Sequence, residues 1–350
     1  MNNCIDSIWN HEWRRVDGFH HPVADAIKRH AQALDGKDTA QAAACIAQAR
    51  ALLVPAPTGA APSYLERFFG VFLDALEGRP ASAGNSYREN DMLEAFYAFY
   101  RQAPLVRFGH DAANTFIRTH TEDAPRLVIL DIGFGNGMQW EQLFELAHKD
   151  IELIGIDLPT SNNARAFEQF AQRVAGTHIR FTPVLKAVED IDFKALMPQQ
   201  AGYTIVNASL ALHHILPDEL QADGGRQHVL AQIQALRPDL FVLVEPDSDH
   251  NNLSAGATIV EAMAHYMTVF QTLDHFLGDS AQLGVIESAF FGREMHNILG
   301  HLDAQRYERH ERHAQWAQRL QRLGFHELGR HQYAWQHKPL LVASAWKLAA

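Results

Sequence analysis

The chain has 350 residues, 47% hydrophobic and 20% charged, a composition that supports a sizeable core and excludes a disordered chain. Forty-one acidic residues against 30 basic ones give a formal net charge of −11, and no Lys/Arg cluster supplies a nucleic-acid footprint. Cys4 and Cys45 form no CxxC pair, no apolar window is long enough to span a membrane, and the first residues lack a signal-type core, so a cytoplasmic protein without nucleic-acid or membrane partners is expected.

Residues 1–22 show no clear period and read as a loosely held arm. From there to about residue 122 the pattern is helical: "PVADAIKRHAQAL", "TAQAAACIAQARALL", "SYLERFFGVFLDALEG", "SYRENDMLEAFYAFYRQAP" and "LVRFGHDAANTFIRTH". The second and third of these are parted by a Pro/Gly/Ala-rich connector, "VPAPTGAAP". At Arg126 short β-rich runs begin to alternate with helical ones. "RLVILDI", "IELIGID", "IRFTPV", "YTIVNAS" and "LFVLVEP" are the strands; "MQWEQLFELAHK", "NNARAFEQFAQRVAG", "KAVEDIDFKAL" and "RQHVLAQIQALRP" are the helices between them. Near-continuous apolar strands alternating with helices predict a parallel sheet covered on both faces. Two long helical segments, "GATIVEAMAHYMTVFQTLDHFLG" and "AQLGVIESAFFGREMHNILG", interrupt the rhythm at about 253–302, before a last α/β unit that ends in "LLVASAWKLA". The expected organisation is an arm (1–22), an N-terminal helical cap (23–122) and an α/β core (123–350), with the insertion completing the cap.

The turn after the first strand, "LDIGFGNGMQW", carries the first chemistry. A dinucleotide fingerprint would place its third glycine at 138, which is Met138; the glycines here are Gly133, Gly135 and Gly137. Asp131 would oppose a pyrophosphate and suits a ligand with a positive group, such as the ammonium and sulfonium of S-adenosylmethionine. The glycines let the backbone approach the methionyl part, with Phe134, Met138 and Gln139 completing the turn. Asp157, with Leu158 behind it, ends the next strand where a carboxylate accepts bonds from ribose hydroxyls. Asn207 and Ser209 end the fourth strand and line the same cleft. The cofactor expected is S-adenosylmethionine, with a nicotinamide dinucleotide as a weaker rival.

Methyl transfer needs a positioned nucleophile and a group to take its proton. Glu245 and His250 are candidates for that base because both follow the fifth strand, and His213 begins the turn after the fourth. His110, Asn114, Trp140, Asn251, Glu294 and Asn297 are candidate substrate contacts at strand ends and in the cap. Asp247, Asp249 and His250 have metal-ligand chemistry but no second cluster to support it. "HERH" (His310–His313) has helical spacing for two zinc ligands and no third partner, and reads as a solvated helix face. No metal is expected.

Residues from about Val23 to Leu348 resemble the GRAS domain. "LVRFGHDAANTFI" is similar to the family's first leucine-rich segment, "LVILDIGFGNGMQW" to its VHIID segment, and "FVLVEPDSDHNN" to its acidic fifth strand. "FFGREMHNIL", "RYERHERHAQWAQRL" and "SAWKLA" resemble its PFYRE, RVER and SAW segments, in the same order. The resemblance implies an α/β fold: a Rossmann-like class I methyltransferase sheet, mostly parallel with an antiparallel last strand, under an α-helical cap. Plant members look like degenerate methyltransferases that regulate transcription through protein contacts, and bacterial members look like methyltransferases of small molecules. Asp157, Gly137, "LHHI" and the lack of a long polar N-terminal extension point to the bacterial, cofactor-competent branch. The function expected is therefore S-adenosylmethionine-dependent methylation of an oxygen or nitrogen on a small-molecule substrate, with a homodimer possible. The alternative is a non-catalytic GRAS-type ligand-binding or protein-interaction module on the same fold.

Overall fold

A computed structural model describes residues 3–349 apart from 12–15, 17, 55–60, 80–98, 147, 218, 221–224, 279 and 302–304. Most of the proline-rich connector and most of the "SYRENDMLEAFYAFYRQAP" segment lie outside the described residues. Seven strands form one sheet in the order β3-β2-β1-β4-β5-β7-β6. They are β1 (Arg126–Ile132), β2 (Asp150–Asp157), β3 (Ile179–Leu185), β4 (Tyr203–Ser209), β5 (Leu240–Pro246), β6 (Phe325–Trp335) and β7 (Lys338–Leu348). The pairs β1–β2, β2–β3, β1–β4 and β4–β5 are parallel, whereas β7 runs antiparallel to β5. The fold is thus α/β with a mostly parallel, Rossmann-like sheet and an antiparallel last strand. Every residue of β1 is buried, as a strand covered on both faces must be.

By internal contacts the chain divides into two compact units. One comprises Arg107–Pro246, Arg312–Gln332 and Leu341–Ala350 and holds most of the sheet. Its core packs Leu130, Ile154, Val206, Phe241, Trp316 and Trp346 among other fully buried side chains. The switch between β1 and β4, where the strand order reverses, lies in this unit, and parallel sheets bind ligands beyond the strand ends at such a switch.

The other unit comprises Met1–Val106, Asp247–Glu311 and Tyr333–Leu340 and is built mainly of helices. Residues 3–11, where no period is legible, form a helix that buries Ile5 and Trp9. The helix Ala255–Leu277 is buried on all sides from Gly256 to Leu273, as suits the central element of a helical layer. Asp35 fixes its start by accepting from the Ser254 hydroxyl (2.6 Å) and from the Gly256 amide (2.8 Å). Phe68 and Phe72 on the helix Tyr64–Leu76 pack together, and Phe68 meets Phe270 edge-on. The second inserted segment winds as a π-helix over Ile286–Gly292 before the helix Arg293–Gly300.

Three local expectations change. "MQWEQLFELAHK" is a 3₁₀ helix over Met138–Leu146, and "KAVEDIDFKAL" breaks into the short turns Val188–Asp190 and Phe193–Leu196, the second capped by Asp192. "HERH" is not a solvated helix face. The helix begins only at His313, and His310, Glu311 and His313 are buried.

Candidate functional site

In the sheet unit, the turn after β1 is held in place by glycines with positive φ. A Cβ on Gly133 (φ 80°) would lie 2.6 Å from Ala211 Cβ, so the turn tolerates no side chain there. Phe134 drops beneath the turn into an aromatic cluster with Phe167, Phe170 and Phe181. The turn then feeds the 3₁₀ helix, which carries Gln139 and Trp140 inward.

Asp131 is the centre of what this arrangement builds. Its carboxylate accepts the Trp140 indole N–H at 2.6 Å on one oxygen and the Asn207 amide at 2.7 Å on the other. Only 2% of the residue is exposed. Asn207 and Gln139 exchange amide hydrogen bonds, each 3.2 Å, and Asn114 donates to the Gln139 carbonyl at 2.8 Å. Asn114 also donates to Gln142 at 3.1 Å, and Gln142 donates to Asp111 at 2.6 Å. Burial raises the Asp131 carboxyl to about 7, and the charge of Asp157 adds to the rise, against the two hydrogen bonds that favour the ionised form.

Asp157 is also engaged. One oxygen accepts the Gly135 amide at 2.8 Å, and the other accepts the Leu158 amide and the Asn163 side chain, both at 2.8 Å. Burial nonetheless raises its pKa. Leu158 is 54% exposed beside it, and a Cβ on Gly135 would meet nothing within 4 Å among the described residues. Gly137 and Met138 are buried parts of the same turn, and the buried Ser209 hydroxyl has no hydrogen-bond partner among the described residues.

The structure surrounds Asp131 differently from the arrangement the sequence suggests for S-adenosylmethionine. That arrangement needs Asp131 to face a positive group of the ligand, and both of its oxygens instead hold side chains of the same protein in a place closed to solvent.

The remaining candidates separate into several groups. His213 Nδ1 lies 2.5 Å from Glu245 Oε2, and the other Glu245 oxygen accepts the Leu212 amide at 2.8 Å. Burial pushes the His110 imidazole down to about 4, against the opposing charge of Asp111. In the helical unit, Asn251 donates to Glu311 at 2.6 Å, Glu294 accepts the Tyr266 hydroxyl at 2.9 Å, and Asn297 bonds the backbone of Gln305, Tyr307 and Glu308. Asp249 accepts from the amides of Asn251 and Asn252, closing its own loop.

His250, paired with Glu245 in the sequence reading as an alternative base, has its own set of partners. Its Nδ1 lies 2.9 Å from His310 Nδ1 and its Nε2 3.0 Å from Ser248 Oγ, while Ser248 donates to Glu261 at 2.8 Å. Because the Ser248 proton goes to Glu261, its oxygen accepts from His250 Nε2–H. His250 Nδ1 is then an acceptor, and His310 Nδ1–H donates to it. Lys338 Nζ, 3.6 Å from Glu261, closes one end, and Glu308, 3.5 Å from His310 Nε2, closes the other. His250 is driven well below the ordinary histidine range, first by complete burial and then by His310, His265, Arg306 and Lys338. The sequence gives no sign of Ser248, Glu261 or Lys338 in this cluster, and it places His310 on a solvated helix face. Only "RYERHERH" carried a visible signal, and its helical spacing pointed to the surface.

A GRAS domain family model matches residues 23–334, and the chain belongs to that family. Scarecrow-like protein 5 of Arabidopsis thaliana is 23% identical over 81% of this chain and 56% of its own length. The DELLA protein GAI of Gossypium hirsutum is 28% identical over 73% of this chain and 50% of its own length, and the Scarecrow-like transcription factor PAT1 of Arabidopsis thaliana is 25% identical over 70% and 55%. The chain spans about half the length of the curated relatives it matches. The crystal structure of SCL7 from Oryza sativa superposes with a TM-score of 0.77 at 23% identity, covering 93% of this chain and 99% of that one, which shows the fold.

These relatives correct the functional expectation. The relatives named above are plant DELLA and Scarecrow-like proteins, one of them a transcription factor by name. An enzyme of a bacterial branch methylating a small molecule is not what they indicate. The small-molecule substrate and the exclusion of nucleic-acid-associated work fall with it. Among the described residues no helix is long and apolar enough to cross a membrane.

Proposed function

We propose that the chain is a non-catalytic interaction module: a methyltransferase-like sheet, inherited from the class I superfamily, kept as a scaffold for contacts with another protein. One observation carries the reading. Asp131, the charge that would orient a cationic cofactor, is consumed internally by Trp140 and Asn207 and sealed from solvent. The DELLA and Scarecrow-like relatives support work in gene regulation through protein contacts. Cys4 and Cys45 are both free thiols, which suits a reducing compartment of the cell, whether cytoplasm or nucleus.

The test is turnover. Purified chain incubated with methyl-labelled S-adenosylmethionine and a cell metabolite extract is expected to yield no S-adenosylhomocysteine above a protein-free blank. Multiple turnovers per chain, abolished by Asp157→Ala, would overturn the reading.

A further inference from the structure

The helical unit contains a groove of about 690 Å³ lined by the end of the helix Thr39–Leu52, one face of the helix Tyr64–Leu76 and the start of the π-helical segment. Its lining includes the apolar or small residues Leu53, Gly70, Val71 and Gly284, together with Val54, which is 71% exposed. Gly70 stands in mid-helix, where glycine is among the costliest residues. Internal packing does not require it, because a Cβ there would meet nothing within 4 Å among the described residues, and the same is true of Gly284. Two glycines that the chain's own described packing does not need face one groove, and a missing Cβ allows another backbone to come close. The neighbouring π-helix is a distortion that recurs at functional sites, and here it aims Glu287 at Arg67.

The rim fixes the charge of the visitor. Arg50 is held by Asp74 and Glu77, and Arg67 by Asp274 and Glu287, at 2.6 to 2.9 Å. Among the described lining residues the acids Glu66, Asp74 and Glu287 outnumber the bases Arg50 and Arg67. Resting on the reading of the chain as an interaction module, the geometry points to this groove as the docking site of an amphipathic helix from a partner protein. The helix lays an apolar face with small residues on Gly70 and Gly284 and sets lysines or arginines against the acidic rim. A second copy of the chain, with its net charge of −11, is a poor electrostatic match for an acidic rim.

The test uses the full chain and a fluorescent sixteen-residue helical peptide of Leu, Ala and Lys, with a Leu/Ala/Glu peptide of the same pattern. The Lys peptide is expected to bind wild type, and Gly70→Leu is expected to weaken that binding at least tenfold while its melting temperature stays equal or rises. The Glu peptide is expected not to bind. Equal binding by Gly70→Leu, or by the Glu peptide, would overturn the proposal. So would a wild-type dimer in sedimentation that Gly70→Leu converts to monomer, since the groove would then serve self-association. Failure of the peptide with no methyl transfer refutes the groove and leaves the module reading standing; methyl transfer refutes the module reading itself.

Discussion

Trp140→Phe isolates the bond that closes the pocket after β1. The substitution keeps an aromatic ring in a fully buried place and deletes the N–H that donates to Asp131 at 2.6 Å. Its cost has a packing part that does not depend on pH and a hydrogen-bond part that does. A bond to an ionised carboxylate is worth about 1.5–3 kcal/mol and one to a neutral acid about 0.5–1.5 kcal/mol. Asp131 changes state at about 7. The penalty of Trp140→Phe is therefore expected to be larger at pH 8.5 than at pH 5.5 by about 1–2 kcal/mol, equivalent to raising the folded pKa by roughly one unit. The sign for wild type follows from the same group. An acid raised from 3.8 to about 7 binds its proton more tightly when folded, so its contribution to stability falls as pH rises between those values. Urea unfolding of wild type and variant at the two pH values measures the difference, and Asp131→Asn in both backgrounds should abolish it. An equal penalty at both pH values would refute the reasoning, because Trp140 would then contribute packing alone.

Three other outcomes are expected. Lys149 is 5% exposed and donates to the carbonyls of Thr121, Glu122 and Ala124 just past the helix Pro104–His120, at 2.7 to 2.9 Å; Lys149→Met should cost about 2–4 kcal/mol in urea unfolding by orphaning them. His250 lies well below 6.5 in the folded chain, so the unfolded chain takes up its proton first and stability is lost as pH falls below about 6.5. His250→Gln should flatten that loss by up to about 1.4 kcal/mol per pH unit, read from urea midpoints between pH 7 and pH 5. Gly70→Ala should stabilise by about 0.5–1 kcal/mol in the same assay, since the helix gains propensity and the added methyl has room.

The sheet was legible because its signal is local. β1, β2, β4 and β5 are apolar runs bounded by a charge, a glycine or a proline, and their limits in the structure fall within a residue or so of those runs. Helices with a clear period, such as Ala255–Leu277, were legible for the same reason. What the period misreads is where tertiary contacts override it. "MQWEQLF" has helical spacing, yet the chain tightens to a 3₁₀ helix as Gln139 reaches Asn207 and Trp140 reaches Asp131. "HERH" looks like a charged surface because no local rule shows that His310 will meet His250, 60 positions away, or that Glu311 will meet Asn251.

Asp131 shows how the same limit produced the wrong function. A buried strand-end carboxylate in a glycine turn demands donors, and that much follows from the sequence. Electrostatics alone does not say whether those donors belong to a cationic ligand or to the protein. Here Trp140 stands nine residues downstream on the "GMQW" segment, and Asn207 stands opposite Asp131 in the β1–β4 register. An aspartate whose needs are met by its own chain no longer requires a cofactor to be stable. On the reading of the chain as an interaction module, the sheet has a structural task and the contacts lie on the surface. The glycine-lined groove of the helical unit is where helix propensity has been given up with no return inside the described chain.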